Sequence, residues 1–218
     1  MVWVKRIILL LIFIFEGFSA SSQEVDSRTL IKHQFGIKGG INYSSVNFKP
    51  TVSQELQPGI LLGLVYNYQA QTLAGIQIEF LYAQYGWTET FHDPAEFYSR
   101  TMNYLEMPFL TNIMIGKKKS HLKLHIGPRF TYLLNEAEET NLPEYERPYY
   151  GVPITDDFEI GVAIGMAISH LFSFGEIQFD ARFNSTLSNL FDPTADFELQ
   201  NSKNQSIALS LYYWFDAK

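Results

Sequence analysis

The chain has 218 residues, with 16 basic against 23 acidic side chains and a net charge of -7. That length suits one domain, and that charge argues against a nucleic-acid partner. There is no cysteine, so neither a disulfide framework nor thiol chemistry is open to it. Aromatic residues and glycine are abundant, yet the mean hydropathy is only -0.06, which excludes a helical membrane protein built from repeated long apolar runs.

A single apolar run stands at the start of the chain. Lys5 and Arg6 precede Ile7–Phe15, and small residues follow around Ser19–Ser22. This is the pattern of a secretory signal peptide over residues 1–22, cleaved after Ser22 to leave Gln23. The run is shorter than the roughly 20 residues an anchor helix needs. Without Lys5, Arg6 and Glu16 the mature chain keeps 14 basic and 22 acidic residues, a charge of -8. Residues 23–34 are polar and read as a periplasmic lead-in, and residues 35–218 as one domain.

From Phe35 onward, side-chain character alternates with a period of two, the signature of strands with one apolar face. Strand one covers Phe35–Asn47, with Phe35, Ile37, Ile41 and Tyr43 opposite Lys38, Asn42 and Ser44. A loop containing Pro50 and Pro58 leads to strand two, Gly59–Tyr68, and a tight turn at Ala70–Thr72 leads to strand three, Leu73–Trp87. There Ile76, Ile78, Phe80 and Tyr82 oppose Gln77 and Glu79. A second long loop holds His92, Asp93 and Pro94. Strand four spans Phe97–Ile115, and a turn with Lys117, Lys118 and Lys119 precedes strand five, around Leu122–Tyr132. The longest connector is read as Asn135–Asp156. Strand six, around Phe158–Ile168, sets Ile160, Val162 and Ile164 against Glu159, Gly161 and Ala163. The clearest alternation is strand seven, Phe174–Asn184, where Ile177, Phe179, Ala181 and Phe183 interleave with Glu176, Gln178, Asp180 and Arg182. A last long loop with Asp192, Pro193 and Asp196 leads to strand eight, around Ile207–Phe215.

Eight strands joined by alternating long and short connectors predict an all-β fold, an eight-stranded antiparallel up-and-down transmembrane barrel of the bacterial outer membrane. The apolar faces meet lipid and the charged faces fill the lumen. Tyr and Trp prefer membrane interfaces. Accordingly Phe35, Tyr66, Tyr68, Tyr213 and Phe215 fall near the periplasmic ends, and Tyr43, Tyr82, Tyr132, Phe158 and Phe183 near the extracellular ends.

Several local patterns then resemble the outer-membrane β-barrel domain of Bacteroidetes known as the PorT or porin family. They are Gly36-Ile-Lys-Gly-Gly-Ile-Asn42, Glu79-Phe-Leu-Tyr82, Tyr104-Leu-Glu-Met-Pro108, Gly127-Pro128 with Tyr132-Leu-Leu134, Asp157-Phe-Glu-Ile-Gly161, and Asp180-Ala-Arg-Phe-Asn184. The resemblance implies a small barrel in the outer membrane of a Gram-negative bacterium, and its namesake assists protein secretion. The chain ends Phe215-Asp-Ala-Lys218, so the aromatic residue that commonly closes such barrels is not terminal.

The candidate site is the inward charge set: Lys38, Glu79, Glu106, Lys123, Arg129, Glu159, Glu176, Asp180 and Arg182. An eight-stranded barrel is only wide enough for its own side chains, so these charges are expected to pair into a structural plug. Bulk porin activity is rejected, and a gated ion or proton path is the alternative. His121 and His125 lie roughly 13 Å apart along a strand and cannot share an ion. His92 and Asp93 are the one pair suited to acid–base catalysis, yet no second acidic pair joins them, so no catalytic, cofactor or metal residue is assigned. Glu136, Glu138, Glu139, Glu144, Glu146 and Asp156, against Arg147 alone, make the longest connector acidic. It reads as a solvated or cation-bridged surface, with ligand or Ca²⁺ binding as the alternative. Its Pro143, Tyr145, Pro148, Tyr149 and Tyr150 give it an aromatic contact surface. The expected partners are outer-membrane lipid and lipopolysaccharide, and envelope or secretion proteins through the long loops. The expected function is a non-enzymatic barrel acting in envelope structure or loop-mediated binding. The alternatives are a secretion accessory, a barrel hydrolase, and a soluble periplasmic lipocalin-like carrier with its apolar faces turned inward.

Overall fold

The computed structural model describes residues 32–69, 73–117, 119–142, 147, 149–191 and 200–215. The signal peptide, most of the lead-in, the turn Ala70–Thr72, the residues Pro143–Glu146, Pro148, Asp192, Pro193 and Asp196 and the final Asp216–Lys218 lie outside these. The strands are β1 (Lys32–Lys49), β2 (Gln54–Gln69), β3 (Ala74–Glu89), β4 (Tyr98–Lys117), β5 (Ser120–Thr140), β6 (Phe158–Phe172), β7 (Gly175–Thr186) and β8 (Asn201–Trp214). Each pairs antiparallel with the next, and β8 pairs back onto β1 to close the barrel. Closure leaves no unpaired edge, which is what a sheet needs in hydrocarbon.

The register sets the dimensions. Stepping across the hydrogen bonds from Tyr43 of β1 passes Ile207, Phe183, Ile164, Ile126, Thr111, Ile76 and Tyr68 and returns to β1 at His33. Tyr43 and His33 are ten positions apart in an eight-stranded barrel. At about 3.3 Å per residue and about 4.8 Å between strands, this stagger gives a tilt of roughly 40° and a backbone radius of about 8 Å.

The two faces separate completely. Outward side chains such as Leu64 and Ile168 stay exposed, at 63% and 64%, whereas Lys38, Glu79 and Asp180 are buried, at 1% or less. A lipocalin-like carrier needs the reverse, apolar faces inside and charges outside, so this arrangement overturns that alternative. Around the end that bears the short turns runs an aromatic belt. Phe35 lies 5.0 Å from Tyr66, His33 lies 5.2 Å from Tyr68, and Phe172, Phe174, Tyr213 and Phe215 form a continuous series. At the other end, the loop end, Phe130 and Phe158 stack, with Tyr132 exposed beside them and Tyr43 exposed on β1.

Three expectations are corrected. The connector between β1 and β2 is only residues 50–53, and Pro58 lies inside β2 opposite Tyr43. The pairing of β2 with β3 shifts between Leu56 and Leu61, an irregularity that accommodates a residue lacking an amide donor. Strand β5 continues to Thr140, so Glu136, Glu138 and Glu139 belong to a strand and the connector is residues 141–157. Finally, β4 and β5 slip against each other, with Tyr104 opposite Leu133 but Asn103 opposite Asn135. Leu134 is the extra residue of a β-bulge, and beyond it the inward positions change from odd to even numbers.

Candidate functional site

The inward side chains form three polar layers beneath an apolar cap. The middle layer is centred on Glu79 of β3. Its carboxylate accepts hydrogen bonds from Lys38 Nζ at 3.0 Å, from Arg182 Nη1 and Nη2 at 2.9 Å each, and from Tyr212 Oη at 2.9 Å. Gln77 donates to it as well. Planar guanidinium and carboxylate groups match in this two-bond geometry, which is among the strongest charge-assisted contacts available. Arg182 also lies 3.5 Å from Asp180, and His125 Nε2 lies 2.8 Å from the other Asp180 oxygen.

Toward the loop end, Tyr85 Oη donates to Glu106 at 2.6 Å and accepts from Arg129 Nη1 at 3.0 Å, while Arg129 Nη2 stands 3.9 Å from Glu106. Tyr104 Oη donates to Glu159 at 2.7 Å, and Asn204 donates to the same carboxylate. Toward the turn end, Lys123 Nζ donates to Glu176 and Gln178 at 2.8 Å each, and Gln34 Nε2 donates to Glu176 at 3.1 Å. Trp214 Nε1 donates to Gln178, and the Lys123 ammonium sits 5.4 Å from the Trp214 ring.

All nine inward charges read from the sequence therefore face the lumen, but in separate groups. Lys38, Glu79, Asp180 and Arg182 come together, Lys123 joins Glu176, and Arg129 approaches Glu106. Glu159 instead takes its hydrogen bonds from Tyr104 and Asn204. Four cations stand against five carboxylates in this set. Sequence reasoning left His125, Tyr85, Tyr104 and Tyr212 out of the set, although the first three share the parity of a charged neighbour on their own strand.

Small residues on β6 make room for this packing. A Cβ at Gly165 would come within 2.5 Å of His125 Nε2, and one at Gly161 within 3.2 Å of Arg129 Cγ. Strand β6 is thus a shallow floor across which the long side chains of β5 lie.

The cap went unrecognised in the sequence. Arg100 of β4, only 2% exposed, binds Glu136 at 2.8 Å and donates to the Val152 carbonyl at 2.6 Å. Glu136 accepts the Ile154 amide at 3.0 Å and Glu138 accepts the Gly151 amide at 3.1 Å. These contacts draw the β5–β6 connector over the mouth and bury Tyr149 and Tyr150. Tyr149 stacks on Phe48 at 5.2 Å, Tyr150 on Tyr98 at 3.9 Å, and Trp87 and Phe191 complete the cluster. Both phenols donate to Glu89. Burial, reinforced by the Glu89 carboxylate, pushes both phenols above their ordinary value. Glu136 and Glu138, expected in a solvent-facing connector, are therefore strand residues paired with a buried arginine. Signal for it existed: Glu89 continues the inward parity of Gln77 and Glu79, and only the bulge hid Glu136 and Glu138.

Other sequence candidates do not assemble. Asp93 accepts the Ala95 amide within its own loop, and His121 lies nearer the turn end than His125 and is not in the Asp180 pair. Among the described residues no group of three or more His, Asp or Glu side chains is placed to hold a metal ion.

Closed all-next-neighbour pairing, an apolar exterior with aromatic belts and a charged interior define a small transmembrane β-barrel of the outer membrane. The chain belongs to the family described as outer membrane protein beta-barrel domain, which matches residues 20–192. Among solved structures it is similar to the outer membrane protein OprG of Pseudomonas aeruginosa, at 12% identity over 89% of this chain and 100% of that one, with a TM-score of 0.49. It is also similar to Ail, the attachment invasion locus protein of Yersinia pestis, at 13% identity, 84% and 99% coverage and a TM-score of 0.44. Outer membrane protein W of E. coli gives 14% identity, 84% and 98% coverage and a TM-score of 0.42. No curated protein matches the chain.

Proposed function

We propose that this protein is a non-enzymatic, non-conducting barrel whose long connectors face the cell exterior, serving envelope structure and loop-mediated binding. The observation that carries this reading is the filled lumen: three layers of mutually bonded charges under an aromatic cap, in a cylinder of about 8 Å backbone radius. Ions crossing it would have to break the Glu79 cluster in the middle of the membrane, where unpaired charge is most costly. Planar bilayers containing the purified protein should show no steady conductance above lipid alone. Stable channel steps would refute the reading.

Short turns face the periplasm in barrels of this kind, which places residues 141–157 outside. A cysteine introduced at Glu139 should react with a membrane-impermeant maleimide on intact cells. Export through residues 1–22 predicts Gln23 as the mature N-terminus, tested by N-terminal sequencing. Replacing His92 and Asp93 should leave every lipid- and peptide-hydrolysis assay unchanged.

The motifs at Gly36–Asn42 and Tyr104–Pro108 support a finer placement in the PorT family of Bacteroidetes, and with it a second reading as an accessory of protein secretion. Normal secretion in a deletion strain would exclude that role.

A further inference from the structure

The lipid-facing wall carries a groove of about 570 Å³ that runs across β4 to β8. One bank is formed by Ile126, Ile164 and Phe183, which stand opposite one another in register, and the other by Leu124, Met166 and Ala181. The floor is the backbone at His125, Gly165 and Arg182. Ala181 is the small outward residue that opens the groove between Phe179 and Phe183 on its own strand. Its two ends are Thr111 on β4 and Ile207 on β8.

Direction and depth follow from the barrel geometry. Four strand spacings make the groove about 19 Å long. Lying perpendicular to strands tilted by roughly 40°, it climbs about 12 Å along the barrel axis, within one leaflet of a hydrocarbon core about 30 Å thick. The climb ends at the loop-end belt, because Ile207 stands opposite Tyr43. Beyond that point the wall becomes polar and cationic. Lys203 is on the face of Ile207, four residues or about 13 Å further along β8, and Lys49 projects from the same outward face of neighbouring β1.

We propose that this groove is a binding site for one acyl chain of a phosphorylated, lipid A-type glycolipid of the surrounding outer leaflet, with its phosphate meeting Lys203 and Lys49. The apolar walls match the chain, and the two ammonium groups lie at headgroup height and match the phosphate. The site rests on the outward orientation of the loop end proposed above, and the labelling at Glu139 tests that separately.

The full-length protein, extracted from outer membranes in mild detergent, should carry one lipid A-bearing molecule in native mass spectrometry. Ala181→Phe, which fills the groove, and the double variant Lys49→Glu/Lys203→Glu should each lower that occupancy at least tenfold. Leu62→Trp on the opposite wall should leave it unchanged. A heat-dependent gel shift reports whether each barrel is closed, and Met166→Phe replaces Ala181→Phe if the latter fails to fold. Bare wild-type protein, equal occupancy in all variants, a retained glycerophospholipid, or a protein dimer lost in Ala181→Phe would each overturn the site. If Glu139 is labelled from outside and the lipid is still absent, the orientation stands and the site falls.

Discussion

Glu79→Gln tests the lumen most directly, because it keeps the shape of the side chain and removes only its charge. The native carboxylate receives Lys38, both terminal nitrogens of Arg182, and Tyr212, and its side chain is fully buried. With the amide in place, Lys38 loses its only ion-pair partner among the described residues, while Arg182 keeps Asp180 at 3.5 Å. Breaking a buried pair leaves one uncompensated charge and costs about 3–5 kcal/mol. The amide oxygen can still accept a hydrogen bond, which places the expected loss near the lower bound, at about 3 kcal/mol. Urea titration of the barrel in lipid vesicles, followed by the fluorescence of the buried Trp87 and Trp214, measures it. The quadruple replacement Lys38→Met/Glu79→Leu/Asp180→Leu/Arg182→Met removes all four charges of the cluster together. It should recover most of the loss, since apolar substitutes for a buried ionic cluster are often neutral or stabilising. A Glu79→Gln loss below about 1 kcal/mol would mean that the lumen behaves as a solvated surface, and the plug would be abandoned.

Gly165→Val should cost about 1–3 kcal/mol by driving His125 off Asp180. The cost should shrink when His125 is already alanine, a coupling that a double-mutant cycle reads. Arg100→Met should free the β5–β6 connector, raising its protease sensitivity while the heat-dependent gel shift of the barrel is retained. The cap should also loosen in alkali. Both phenols titrate above their ordinary value when folded, so their contribution is complete below pH of about 10 and is lost as pH rises through the folded values. Amide exchange in residues 149–154 should therefore accelerate at high pH in the wild type and follow a flatter profile in Tyr149→Phe/Tyr150→Phe.

The strand pattern was readable because a membrane barrel obeys a two-residue rule with little tertiary interference. Each outward position meets the same solvent, lipid, whatever its neighbours are, so Ile177, Phe179 and Phe183 declare their side individually. Strand ends were less readable. The projecting parts of β2 and β5 are rich in polar residues, and there Gln57 donates to Thr101 and accepts from Ser99 while Asn103 donates to Asn135 on the outer surface, which on paper resembles a loop.

From sequence alone came the number of strands, the face each one turns to lipid, and the charges that enter the lumen, because alternation is a local property of the chain. Tertiary structure alone decided which charges meet. Whether Glu79 takes Arg182, or Arg100 takes Glu136, depends on a ten-residue stagger and on one bulge at Leu134, and both arise from how strands distant in sequence align when the sheet closes.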